Sequence, residues 1–127
     1  MTPATAIALS GLTAATLKLN TSASNLANVD DTSPVGSTSG YQPLQVQNSA
    51  APGGGVIAKA VTVKPASLLA YDPSSPVANA QGLVQAPEID PITEVTNQLA
   101  ASQAFAYQLK VLQTASENEK TLLNLQT

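Results

Sequence analysis

The stretch Pro3–Asn28, PATAIALSGLTAATLKLNTSASNLAN, decides the fold. Within it Leu9, Leu12, Thr16, Leu19, Ala23 and Leu26 follow one another at spacings of 3, 4, 3, 4 and 3. That alternation is the a/d seam of a heptad and predicts a helix with one apolar stripe. At 1.5 Å per residue the pattern corresponds to a rod of about 35–40 Å. Pro3 stands where a first-turn proline is tolerated, with Thr2 before it as a candidate cap. The opposite face carries Thr, Ser, Ala and Asn and almost no charge, so it is suited to packing on several sides rather than to solvation alone.

Pro and Gly mark what lies beyond this helix. Eight of the nine prolines fall between Pro34 and Pro91, and six of the seven glycines between Gly36 and Gly82. The expected organisation is therefore a helix over 1–29, a linker and small β region over 30–89, and a second helix over 90–127. Asp90 is the N-cap of the second helix and Pro91 its first helical residue. Val95, Leu99, Ser102, Ala106, Leu109, Gln113 and Ser116 form its seam, which Phe105, Leu112 and Leu123 broaden. Glu94 in the first turn suits the positive end of the helix dipole. The fold class is α+β: long terminal helices packing as a coiled-coil-like hairpin, with a small irregular β region between them. Periodicity does not say whether the two seams meet within one chain or between chains.

The middle reads as short strands. Gly40–Gln47 is one, with Leu44 and Val46 on one face and Pro43 marking it as an edge. Asn48–Gly55 is a flexible loop whose three consecutive glycines let a hairpin tip move. Val56–Lys64 is the strongest strand, rich in β-branched residues. Ser67–Pro73 is a third, and Gln81–Gln85 a candidate fourth.

Composition narrows function. The 127 residues include no Cys, His, Trp or Arg, and the net charge is −3. Without thiolate or imidazole, structural zinc sites and Ser-His-Asp or Cys-His catalysis are excluded. A nucleic-acid surface needs a dense cationic stripe that five lysines do not provide. The acids give no paired catalytic constellation: Asp30-Asp31 suits helix termination and solvation, and capping explains Asp90 better than acid–base work. No cofactor and no small-molecule substrate are expected. The apolar share of 43% is heavy in Ala, which predicts a thin core and stabilisation by neighbouring subunits. No transmembrane run exists, and the N-terminus lacks the basic region of a cleaved signal peptide.

Asn20–Asn28 closes the first helix with three Asn and two Ser, a poor composition for a helix interior. Two readings are open: a polar helix end that frays, or buried amides that fix register between chains. On the second reading Ser24, Asn25, Leu26 and Asn28 belong to an assembly core, and Asn25→Leu leaves the isolated chain folded while impairing assembly.

The segment Leu17–Asp31, LKLNTSASNLANVDD, resembles the N-terminal signature of the bacterial flagellar axial proteins, with SNLAN (Ser24–Asn28) as its hallmark. Tyr71-Asp72-Pro73, the run Gly82-Leu83-Val84 to Pro87 and Asp90, Ala101–Phe105 and Val111–Thr114 resemble the proximal-rod (FlgC-type) family in the same order. Gln103 stands where that family usually has Arg. The resemblance implies a structural subunit of the flagellar basal-body rod, not an enzyme. It would self-assemble by its terminal helices into a helical tube that transmits torque and conducts exported subunits. The implied partners are copies of itself, other flagellar rod proteins, the basal-body ring and the export gate. Passage through the flagellar type III export apparatus would require an unfolded chain, which low core content and the lack of disulfides suit. On this reading Leu9, Leu12, Thr16, Leu19, Ala23 and Leu26 with Val95, Leu99, Ser102, Phe105, Ala106, Leu109 and Leu112 form the assembly interface. The alternative is a soluble helical-hairpin binding module or export chaperone of the flagellar system, against which SNLAN weighs.

Overall fold

The structure, a computed structural model, describes residues 3–125, so the candidate cap Thr2 lies outside the described residues. Two long helices carry the architecture. Helix α1 spans Pro3–Ala27 and α2 spans Pro91–Leu125. They run antiparallel, because Asn25 near the end of α1 bonds Glu94 in the first turn of α2, while Ala4 shares a groove with Lys110–Asn118. α2 is ten residues longer (35 against 25), so its last turns continue past the start of α1.

The ends follow from local chemistry. Asp90 caps α2: one carboxylate oxygen accepts the Ile92 N–H at 3.3 Å, and the other accepts the Thr93 N–H at 3.2 Å and the Thr93 hydroxyl. These bonds, the Thr93 hydroxyl foremost, hold the Asp90 carboxyl below the usual carboxylate range. At the end of α1 the Asn28 side chain donates back to the Ser24 carbonyl at 2.7 Å, and the chain turns out through Asp31. The Asp31 carboxylate accepts the Tyr41 N–H at 2.9 Å, which pins the far end of the linker.

Between the helices lie two separate two-stranded antiparallel sheets. β1 (Leu44–Ala50) pairs with β2 (Val56–Thr62), and β3 (Ser67–Tyr71) with β4 (Leu83–Pro87). The expected boundaries shift. β1 runs three residues into the stretch read as loop, because Asn48, Ser49 and Ala50 complete the ladder opposite Ala58, Ile57 and Val56. Pairing stops at Pro43, whose carbonyl accepts from Val63 N at 2.9 Å but which has no N–H to return. The fourth strand lies two residues later than read.

The glycine turn is not a free tip. Gly53, Gly54 and Gly55 all have φ above +90°, which L side chains rarely adopt. A Cβ on Gly55 would stand 2.5 Å from the Ser10 hydroxyl, and one on Gly54 3.1 Å from Ile7. The turn is thus seated on the first half of α1, and Val56 N donates to Ser10 Oγ at 3.1 Å. The hairpin lies along α1 from Asn25 to Ser10. Fifteen helical residues rise about 22 Å and seven strand residues about 23 Å, so the two lengths match.

The second sheet is joined to the linker. Ser33 and Gln85 exchange both backbone bonds at 2.9 Å, which adds a one-residue rung beside β4. Val84 on β4 is fully buried there. The buried apolar side chains among the described residues are four alanines (Ala8, Ala14, Ala15, Ala101), Val84, Pro43 and Pro87. The core is as thin as the composition indicates.

Candidate assembly interface

The helix faces are arranged one residue out of phase with the leucines. The row of α1 that turns inward is Ala8, Gly11, Ala15, Lys18, Ser22 and Asn25, the predicted seam moved back by one position throughout. The same holds for α2. Glu94, Gln98, Ala101, Phe105, Gln108, Leu112 and Ala115 contain its least exposed positions, again one before the predicted seam. Small side chains let these helices come close: a Cβ on Gly11 would lie 2.7 Å from the Gln108 side chain. One residue of shift is about 100° of helix rotation. The hairpin therefore closes mainly on alanine, glycine and polar groups, with Phe105 and Leu112 the large apolar residues of the inward rows, and turns the leucines of the two predicted seams aside.

The predicted residues separate accordingly. Leu9, Thr16, Ala23, Ser24, Val95, Leu99, Ser102, Ala106 and Leu109 are exposed, Leu99 at 61% and Leu9 at 47%. Leu12, Leu19, Leu26, Asn28 and Leu112 are half-buried, and Phe105 is at 38%. Thr16 spends its hydroxyl on the Leu12 carbonyl at 2.9 Å. Leu9, Leu12 and Leu17 line an apolar groove with Thr13, Thr16 and Asn20 on the side of α1 away from the hairpin seam. The two predicted seams do not meet within the chain.

Asn25 is placed differently from the rest. It is 1% exposed, and its amide makes four hydrogen bonds. Its Nδ2 donates to the Leu44 carbonyl at 2.7 Å and to Glu94 Oε1 at 2.9 Å. Its Oδ1 accepts from Leu44 N at 3.0 Å and from the Tyr41 hydroxyl at 2.9 Å. Two donors and two lone pairs are all that an asparagine side chain has. The register that this amide fixes is that of α1, β1 and α2 within one chain, and it has nothing left for a neighbour. Tyr41, which also meets Ser24 Oγ at 2.9 Å, and the Leu44 backbone were not read from sequence as parts of this junction. The small-residue row could have been found, since it repeats at the same 3–4 spacing as the leucines. Apolarity pointed to the larger side chains instead.

Among the described residues no group of three or more acids is placed to hold a metal, and no helix is long and apolar enough to cross a membrane.

A family described as "Flagella basal body rod protein" matches residues 6–33, and one described as "Flagellar basal body rod FlgEFG protein C-terminal" matches residues 80–125. The chain is 39% identical over 113 residues to the flagellar basal-body rod protein FlgC of Escherichia coli O6:H1, covering 85% of this chain and 84% of the relative. The chain belongs to the FlgC family of flagellar basal-body rod proteins. FlgC of Salmonella typhimurium is 38% identical over 113 residues, with 85% of this chain and 84% of the relative covered. FlgC of Bacillus subtilis is 29% identical over 120 residues, covering 78% and 80%. As a member of this family the chain is a structural subunit of the rod in the flagellar basal body and assembles with other rod components. The two matched segments hold the whole described part of α1 from residue 6 onward and all of α2, the pair joined through Asn25 and Glu94.

Proposed function

We propose that this rod subunit assembles through the leucine faces of its two terminal helices, building an open helical tube that transmits torque and conducts exported subunits. The observation that carries the reading is the phase of the helices: both turn their leucine rows away from the hairpin seam, so Leu9, Val95, Leu99 and Leu109 stand exposed in the single chain. Burying one such side chain against a neighbour contributes roughly 1.5–3 kcal/mol. Heterologous contacts between such faces extend into an open helix when the rotation between subunits does not close a ring. The β region would then sit outside the helical wall. The ring and export gate are the further neighbours on this reading, and no catalysis belongs to it. An Ala-built core that unfolds readily suits passage through the type III export channel without a cleaved signal peptide.

The test is Leu99→Asp and Leu9→Asp in a deletion strain, with Gln47→Asp on the exposed outer face of β1 as control. Both leucines are exposed in the isolated chain, so its urea midpoint should be unchanged. An unpaired charge in a packed interface is costly by several kcal/mol, so basal bodies should be absent for both leucine variants and normal for Gln47→Asp. Normal basal bodies from both leucine variants would refute the assignment.

A further inference from the structure

A groove runs along α1 between the first strand of the β hairpin and helix α2. The hydrogen-bond phase of the hairpin decides what faces it. Val63 N bonds Pro43 O at 2.9 Å and Ala51 N bonds Gly55 O at 3.1 Å. In an antiparallel ladder bonded and non-bonded pairs alternate. The pairs 45/61, 47/59 and 49/57 are therefore the bonded ones, and the N–H and C=O groups of Leu44, Val46, Asn48 and Ala50 point away from β2. At Leu44 both outward groups are taken by the Asn25 amide, which also holds Glu94 of α2. Asn25 thus imitates the first rung of a neighbouring strand and shows that this edge faces α2.

Past that rung the edge is bare. Among the described residues no backbone bond reaches the outward groups of Val46 or Asn48 from another element. Two cavities border them, of about 410 and 360 Å³, and they adjoin at Lys18. Six of the ten residues lining the far cavity are small, Gly11, Ala14 and Ala15 from α1 and Ala100, Ala101 and Ala104 from α2; Lys18, Asn48, Val56 and Gln108 complete it. The near one holds Glu88, Asp90 and Glu94 against the single cation Lys18. Sheet proteins usually guard an open edge with a charge or a proline. β1, LQVQNSA, has neither.

We infer that this groove is a strand-addition site for an extended segment of a partner polypeptide, small-sided along most of its length and carrying a cationic side chain at the Leu44 end. A helix cannot pair with open strand groups, whereas an extended chain does so rung by rung. An added strand lies about 4.8 Å from β1. Its alternate side chains then point down onto the alanine and glycine floor, where only small ones fit. The three carboxylates beside one lysine select a positive group there. This site is separate from the leucine faces and does not depend on their role.

The test uses the isolated full chain and a blocked heptapeptide of alternating threonine and valine with a lysine at one end. Amide exchange of the chain alone should be fast at Val46 and Asn48 and slow at Gln45, Gln47, Lys59 and Val61. Titration with the peptide should shift the Val46 and Asn48 amide resonances saturably. The same peptide N-methylated at alternate residues should bind at least tenfold more weakly. Val46→Pro removes one outward N–H that the ladder does not use, so the hairpin tolerates it; it should lose binding tenfold or more, while Val46→Thr should not. Helix signals unchanged in Val46→Pro establish that the fold is kept. Glu88→Gln should reduce the preference for the lysine peptide over its norleucine form. Slow exchange at Val46 and Asn48 in the free chain would overturn the inference. So would absence of shifts with the peptide, or equal binding by Val46→Pro or by the N-methylated peptide.

Discussion

Replacing Asn25 with leucine tests how far one amide holds the three parts of the chain together. The substitution keeps the number and branching of side-chain heavy atoms and removes all four hydrogen bonds. Tyr41 and Glu94 are half-buried and can turn to water. The Leu44 N–H and C=O point at the side chain of residue 25, so an apolar side chain there leaves them without their partners. Each orphaned group costs about 1–3 kcal/mol. Leucine burial returns roughly 1.5–3 kcal/mol, so the net loss centres on about 2 kcal/mol. In urea, with a slope of about 1.5 kcal/mol per M, the midpoint of the isolated chain should fall by roughly 1 M. Far-UV circular dichroism follows the helices, and exchange at Leu44 N should become fast. Asn25→Asp is the informative partner: it keeps the two acceptor bonds but sets a carboxylate against Glu94. Like charge and burial raise the folded-state pKa of the introduced carboxyl above its unfolded value. That variant should therefore be most stable below pH about 4 and weaken as pH rises through the raised value. An Asn25→Leu chain whose urea midpoint stays within about 0.3 M of the parent would refute the reasoning. It would mean that the junction is held by something other than this amide.

Asp90→Ala should lower helix content and speed exchange at the Ile92 and Thr93 amides. Since the folded-state pKa of Asp90 is depressed, its contribution is present above the unfolded carboxylate value and is lost as pH falls through the folded one, so parent and variant should converge in acid. Gly55→Ala forces a side chain into positive φ and against the Ser10 hydroxyl, which should detach the turn from α1, cost about 1–3 kcal/mol, and expose Val56 N to exchange. Limited proteolysis of the isolated chain should cut first in the last turns of α2, past the groove that Lys110–Asn118 share with Ala4, where Leu122, Leu123 and Leu125 are exposed. First cleavage inside 94–115 would contradict the hairpin register.

Much of this arrangement was legible in the sequence. Asp90-Pro91 and the near-absence of Pro and Gly from either end fixed both helices to within a few residues, because caps and breakers act locally. The strand runs were legible too, since β-branched residues report a pleated surface. Their boundaries were not. Asn48-Ser49-Ala50 has loop composition, yet it is a strand because Val56, Ile57 and Ala58 lie opposite. The turn glycines looked like freedom and are instead conformational necessity plus close approach to Ile7 and Ser10. The leucines left one question open, whether their seams meet within the chain or between chains. Periodicity finds the strongest apolar row, and on both helices that row is not the one the chain closes on. Asn25 was marked as a register amide from its composition and its helix position. That its partners are Leu44, Tyr41 and Glu94 of the same chain required the fold.

The division between the two rows has a physical consequence. A hairpin closed on Ala8, Ala15 and Ala101 buries little apolar area, so the specificity of its closure must come from groups that are costly to misplace. The satisfied amide at Asn25 supplies that: any slip of α1 against α2 leaves Leu44 or Glu94 without its partner. In the proposed assembly the leucine rows would supply the opposite, a strong and non-directional attraction with no register of its own. If both were on one face, the chain would bury its leucines alone and keep no surface to assemble with. Separating them by a single residue of phase lets one subunit fold modestly by itself and leaves the larger apolar gain for the proposed contact with its neighbours. Stability of the rod would then be a property of the assembly. A subunit with this distribution should show a melting temperature that rises steeply on incorporation, whereas one whose leucines were already buried would melt alike inside and outside the rod.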